Sequence, residues 1–132
     1  MLKTSLKVLP LFAAVFMINE ANAAFTAGLW RVRQYDVVTK AEINVMETCF
    51  SKDGTLKQGS SIASIEWTGS WESNGDLVLV RMNNTDGVRV AEYTLTVFNP
   101  TVMTGYNQSW SILDSSAGFN TSSIWRFLKS SC

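Results

Sequence analysis

Residues 61–82 read SIASIEWTGSWESNGDLVLVRM, and this stretch indicates the fold of the whole chain. Residues 73–76 (Ser-Asn-Gly-Asp) form the clearest hairpin signal, because Asn-Gly readily adopts the positive φ angles of a tight turn between antiparallel strands. Before the turn, period-two alternation predicts a strand over residues 61–71, with a break or bulge at Gly69. After it, the apolar run predicts a short buried strand over residues 77–82. The stretch therefore predicts antiparallel β-structure.

The same signals recur along the rest of the chain. No segment after residue 23 sustains the 3.6-residue period of a helix, and only a short helical turn within residues 113–119 is compatible with the pattern. The further predicted strands are residues 29–35, 42–50, 88–98, 102–112 and 122–129. Short strands at regular spacing predict an all-β fold. We expect a single antiparallel meander-type barrel of about seven or eight strands, with a β-sandwich as the alternative.

Residues 1–23 have the pattern of a secretory signal peptide. Lys3 and Lys7 precede an apolar run over residues 8–18, and Ala21-Asn22-Ala23 forms an A-x-A cleavage site. The run is too short for a membrane-spanning helix, which needs about 20 apolar residues. We expect cleavage after Ala23, which leaves one all-β domain over residues 24–132 in the bacterial periplasm or outside the cell, with no membrane span.

The charge of residues 24–132 limits the classes of expected partner, and the number of cysteines indicates whether they are oxidised. Residues 24–132 carry nine Lys and Arg and ten Asp and Glu, with no basic run, so nucleic acid is not an expected partner. The two cysteines, Cys49 and Cys132, both lie in this part of the chain. An even number of cysteines in an exported protein predicts a disulfide between them, and two free thiols are the alternative.

Residue patterns for catalysis are scarce. The chain contains no histidine, which removes the commonest general base and the partner of Ser-His and Cys-His nucleophile pairs. Glu66 and Glu72 flank an aromatic segment, and paired carboxylates near tryptophans are typical of glycosidases. On a regular strand these two carboxylates stand about 20 Å apart, too far for that chemistry. We therefore expect a non-enzymatic protein with no cofactor and no metal site.

Aromatic side chains supply the candidate ligand-binding residues: Trp67, Trp71, Tyr106, Gln108 and Trp110. Trp67 and Trp71 lie four residues apart and share one face of their strand, so they fit either a ladder of core side chains or a stacking platform for a sugar or a flat apolar ligand. Tyr106, Gln108 and Trp110 combine aromatic area with an amide on one face. That face fits either a ligand lining or one side of an ordinary half-buried strand.

Two resemblances concern the ends of the all-β region. Gly28-Leu29-Trp30 opens the first predicted strand, and Arg126 lies in the last. This arrangement resembles the calycins, the group of lipocalins, avidins and related small barrels. In lipocalins a Gly-x-Trp is covered by an arginine from near the chain's end, which implies structural roles for Gly28 and Trp30, with Arg126 over the indole. The chain also resembles small exported bacterial proteins of unknown function that begin Gly-Leu-Trp, which implies no activity.

Two functions are compatible with these features. The first is a small-ligand carrier of calycin type, which binds an apolar or sugar-like molecule inside the barrel. The second is an inhibitor or immunity protein that binds a lysozyme, a protease or a periplasmic toxin through loops, here residues 83–87 and 114–120. The two differ in whether the barrel is hollow, which the sequence does not determine.

Overall fold

The structure is a computed structural model that describes residues 25–114 and 118–132. The predicted signal peptide, with its cleavage site, and residues 115–117 of the predicted 114–120 loop lie outside the described residues. The strands are β1 (Gly28–Asp36), β2 (Glu42–Phe50), β3 (Thr55–Gly59), β4 (Ile65–Asn74), β5 (Leu77–Asn84), β6 (Arg89–Asn99), β7 (Val102–Ser111) and β8 (Phe119–Lys129).

The eight strands form one closed antiparallel barrel in meander order. Each strand pairs with its neighbours in the chain, and β1 pairs with both β2 and β8, which closes the sheet. The predicted all-β barrel is confirmed, and the sandwich alternative is excluded because one continuous hydrogen-bonded sheet closes on itself. No helix within the described part of the chain is long and apolar enough to cross a membrane.

Alternate strands run in opposite directions, so the connections gather at two ends. The turn end holds the tight turns around residues 51–54, 75–76 and 100–101, together with residues 130–132. The loop end holds the connections over residues 37–41, 60–64 and 85–88, together with the described residues 112–114 and 118 between β7 and β8.

The main difference from the predicted strands lies between β2 and β4. The sequence predicts one strand over residues 61–71, whereas the structure has the short strand β3 followed by β4, which begins only at Ile65. β3 points Leu56 and Gln58 inward, and both are buried. A polar amide at a core position hides the apolar alternation, which is why the pattern does not reveal this strand.

Gly69 does not break β4 but allows β5 to approach it closely. The strand pairing is continuous through Gly69, which lies opposite Met82. A Cβ atom at this position would overlap the carbonyl oxygen of Arg81 on the neighbouring strand. The glycine therefore permits the tight curvature that closing a small barrel requires.

The turn end of the barrel is filled by aromatic side chains. Phe25, just before β1, lies within 5.0 Å of both Phe50 and Trp71 and 5.8 Å from Trp30, measured between ring centroids. The Nε1 atoms of Trp30 and Trp71 donate to backbone carbonyl oxygens of Thr26 and Ser51, each at 2.9 Å. The cluster continues towards the middle of the barrel as one apolar core.

Cys49 and Cys132 lie at disulfide-bonding distance, with their Cα atoms 5.9 Å apart. Cys49 is on β2, and Cys132 follows the end of β8, so the bond passes across the outer side of β1. Leu29, the Cα partner of Cys49 on β1, is buried although its neighbours along the strand place it on the outer wall. The bond therefore braces the seam where the first and last strands meet.

Candidate functional site

The five predicted binding residues divide between the two sides of the barrel wall. Trp67 and Trp71 point inward on β4 and pack against the core. Trp71 is part of the aromatic cluster at the turn end, 5.9 Å from Phe50. This placement corresponds to the alternative in which these two tryptophans are core side chains.

Tyr106, Gln108 and Trp110 point outward on β7. Tyr106 is 68% exposed and Gln108 is exposed, whereas Trp110 is half-buried. The guanidinium of Arg81 lies over the Trp110 ring, 6.0 Å from its centroid, which is a cation–π geometry. The structure thus keeps these three residues together, on the outer surface, and does not bring them to Trp67 or Trp71.

Arg126 does not cover Trp30. It lies on the outer wall, exposed, because it alternates with the inward residues Trp125 and Phe127. Phe127 instead contacts the Trp30 indole edge-on, with ring centroids 5.4 Å apart. The expected cation–π contact between Arg126 and Trp30 is therefore replaced by an aromatic contact between Phe127 and Trp30. Gly28 and Trp30 are both buried at the start of β1.

A layer of hydrogen-bonded polar side chains crosses the barrel interior above the aromatic cluster. Gln34 Nε2 donates to the hydroxyl oxygen of Tyr93, and Gln58 Nε2 donates to Thr48 Oγ1 at 2.8 Å. Burial raises the pKa of the Tyr93 hydroxyl, although the neighbouring amides of Gln58 and Gln34 oppose the shift. These pairs satisfy polar groups that would otherwise be costly to bury.

Two oxygens of this polar layer have no hydrogen-bond partner among the described residues: Gln58 Oε1 and Asn107 Oδ1. The amide nitrogen of Asn107 donates to Thr121 Oγ1 at 3.2 Å, so only its oxygen is left over. Both residues are more than nine-tenths buried and point inward. Buried unpaired acceptors are unusual in folded proteins and often mark the place of a water molecule or a ligand group.

A groove on the outer wall runs beside Tyr106 towards the loop end. It has a volume of about 480 Å³ and is bordered by Tyr35, Tyr106 and Lys40, the last from the β1–β2 loop. Its floor is formed by short hydroxyl side chains and Gly105. Gly105 leaves the groove open at this point because it has no side chain. A Cβ atom there would overlap the Thr94 carbonyl oxygen.

Exposed apolar side chains are concentrated near the loop end. The largest exposed fractions there are 82% for Val38, 79% for Leu113 and 61% for Ile112. Ile112 continues the outward face of β7, so Tyr106, Gln108, Trp110 and Ile112 form one row, which we name the β7 ridge. The sequence pattern placed Tyr106, Gln108 and Trp110 on one face but could not show that the face is external.

Glu66 and Glu72 are both exposed on the outer wall and are separated by an unbroken strand. The structure therefore does not bring the two carboxylates together. The described residues also contain no group of three or more Cys, Asp or Glu side chains that could hold a metal ion.

A comparison with protein-family models, curated proteins and solved structures finds no match to this chain. The fold and the geometry described above are therefore the basis for any functional conclusion.

Proposed function

We propose that the protein is an exported, non-enzymatic binding protein that recognises a protein partner through the β7 ridge, as an inhibitor or immunity protein does. The observation that carries the proposal is the β7 ridge itself, in which Tyr106 and Ile112 are exposed and Trp110 is half-buried, and which is followed by the exposed Leu113 at the loop end. Exposed apolar patches with a polar border are typical of protein interaction sites, and Tyr and Trp are common at their energetic centres.

The packing of the interior supports an external binding surface. The core cluster extends from Trp30 and Phe50 at the turn end through Tyr93 and Trp125 to Met82. This core supports the barrel wall from inside, and the side chains on the outer wall are held in place by strand pairing. Rigid surfaces lose little entropy on binding, which favours affinity.

The charge beside the β7 ridge indicates the character of the partner. Strands β4 to β6 and their turns carry five acids and two bases: Glu66, Glu72, Asp76, Asp86 and Glu92, and Arg81 and Arg89. Glu92 is the Cα partner of Gln108 and forms an ion pair with Arg81. This excess of negative charge favours a partner with a basic surface, because complementary charge accelerates the encounter and disfavours other partners.

Inhibition assays with a substitution in the ridge test this proposal. Purified protein is added to a panel of lysozymes and serine proteases, and residual enzyme activity is measured. We expect one enzyme class to be inhibited and Ile112→Asp to weaken that inhibition by about 30-fold, because it places a charge in the apolar contact.

Phe98→Asp is the matched control. Phe98 is 77% exposed but lies on β6 near the turn end, away from the ridge. Its substitution should leave inhibition unchanged. Equal weakening by the two substitutions would contradict a role for the ridge, and the absence of inhibition across the panel would contradict the inhibitor class.

A small-ligand carrier is the second candidate, and the two unpaired amide oxygens favour it. Gln58 Oε1 and Asn107 Oδ1 could both accept hydrogen bonds from a small molecule with N–H or O–H groups. Native mass spectrometry of protein purified gently from its own cells tests this role. A carrier should appear with the added mass of one small ligand, whereas a bare polypeptide would contradict it.

A further inference from the structure

Three arginines share a groove on the outer wall near the turn end, away from the β7 ridge. Arg31 and Arg33 lie on β1, and Arg126 lies on β8. The groove has a volume of about 300 Å³, and its other lining residues are Ile124, Phe127 and Leu128. It therefore combines guanidinium groups with aliphatic surface.

Positive charge in this groove exceeds what the neighbouring carboxylates neutralise. Arg33 is paired with Glu42 at 2.9 Å, but Arg31 reaches Glu47 only at 3.6 Å. The other Glu47 oxygen already accepts a hydrogen bond from the Ile62 amide at 3.0 Å.

Arg126 has no carboxylate within 4.0 Å among the described residues. It also lies directly opposite Arg31 in the sheet. Like charges at directly opposite positions of a strand pair destabilise a sheet. The pair is thus unfavourable for folding, and a bound anion would relieve the repulsion.

The strands around the groove also carry a net positive charge. Seven of the nine described Lys and Arg residues lie on β1, β2, β3 and β8 or their hairpins: Arg31, Arg33, Lys40, Lys52, Lys57, Arg126 and Lys129. The same elements carry five acids: Asp36, Glu42, Glu47, Asp53 and, in the β7–β8 connection, Asp114. This distribution attracts anions to the half of the barrel that contains the groove.

We infer that the Arg31–Arg126 groove binds a small anionic amphiphile, that is, an oxyanion attached to a short apolar chain. Guanidinium groups hold phosphate, sulfate or carboxylate oxygens through paired, charge-assisted hydrogen bonds. Ile124 and the partly exposed Leu128 provide the aliphatic surface on which the chain packs. This inference does not depend on the function proposed for the β7 ridge.

Titration with octyl phosphate, followed by backbone amide NMR shifts, tests the site. We expect saturable shifts at Arg31, Ile124 and Arg126, with a Kd below about 1 mM. Inorganic phosphate should bind at least about 10-fold more weakly because it lacks the apolar chain. Arg126→Gln should weaken octyl phosphate binding by about 10-fold, since it removes a charge-assisted hydrogen bond.

Lys57→Gln is the control, because it removes one positive charge from the same half of the barrel without touching the groove. It should change the Kd by less than about twofold. Equal effects of the two substitutions, or no saturable shift, would overturn the inference. Binding to phosphatidylglycerol vesicles without binding to free octyl phosphate would also overturn it, because that result would indicate a membrane surface.

Thermal unfolding supplies a second readout. At low salt, Arg126→Gln should raise Tm by about 2 °C, because it removes the repulsion with Arg31. Octyl phosphate should raise the Tm of the unsubstituted protein and have little effect on the variant. A lower Tm for Arg126→Gln would show that the arginine serves the fold and would overturn the argument from like charge.

Discussion

Loss of the Cys49–Cys132 bond is expected to lower the free energy of unfolding by about 4 kcal/mol. The two cysteines are 83 residues apart in the chain, so the bond closes most of the domain into one loop. Cross-linking so long a loop restricts the unfolded chain strongly, and the chain-entropy estimate is about 4.5 kcal/mol. Small domains have total stabilities of about 5–15 kcal/mol, so the reduced protein should be near the limit of folding.

Urea unfolding followed by tryptophan fluorescence measures this effect. The double variant Cys49→Ala with Cys132→Ala should unfold at a much lower urea concentration than the oxidised protein, and reductant should have no further effect on it. In parallel, the intact mass of the unsubstituted protein should rise by the mass of two hydrogen atoms on reduction. An unchanged midpoint or an unchanged mass would contradict the bond between β2 and the chain end.

The disulfide lies near the β1–β8 seam, so its loss should affect one particular strand pair. A closed barrel has no free edge only while β8 stays paired with β1, and the disulfide crosses the outer side of β1 near that seam. Without the disulfide, residues 130–132 lose their covalent link to β2. We therefore expect the β1–β8 pairing to loosen first in the reduced protein, where an exposed strand edge would also favour aggregation.

Period-two alternation predicted most strands because it follows directly from the geometry of extended backbone. β2 was predicted with the bounds that the structure has, and the predicted hairpin signal at residues 73–76 does contain the turn between β4 and β5, which is Gly75-Asp76 rather than Asn-Gly. Alternation fails at β3, where Gln58 occupies an inward position. A hydrogen bond to Thr48 makes that amide tolerable in the core, but no short-range signal reveals a partner ten residues away.

The alternation of side chains also explains why the candidate binding residues were grouped correctly but not assigned to the inside or the outside of the barrel. Alternation identifies which side chains share a face, and it correctly grouped Tyr106 with Gln108 and Trp110. It does not identify which face is internal, because Trp and Tyr occur on both sides of a small barrel. The neighbours Arg126 and Phe127 show the consequence. Successive residues of a strand point to opposite faces, so the inward Phe127 contacts Trp30 while Arg126 points outward.

Trp125→Ala is expected to lower the free energy of unfolding by about 3–5 kcal/mol, whereas Trp110→Ala should lower it by only about 1 kcal/mol. Trp125 is fully buried, with its ring centroid 5.7 Å from Phe50 and 5.2 Å from Tyr93. Its Nε1 atom donates to Ser123 Oγ at 2.9 Å, so its removal leaves a cavity and takes away a buried hydrogen bond. Trp110 is half-buried on the outer wall, and its loss exposes surface without creating a cavity.

Because the two substitutions are chemically identical, their difference reports the different surroundings of the two indoles, of which burial is the larger part. Equilibrium urea unfolding, followed by far-UV circular dichroism, gives both values, and Trp125→Phe provides a milder variant if Trp125→Ala does not fold. Trp125→Phe should then lose less stability, because a ring remains between Phe50 and Tyr93. Equal losses for Trp125→Ala and Trp110→Ala would contradict the assignment of inner and outer faces. The β7 ridge would then no longer be an external surface, and the proposal of a protein partner would lose its basis.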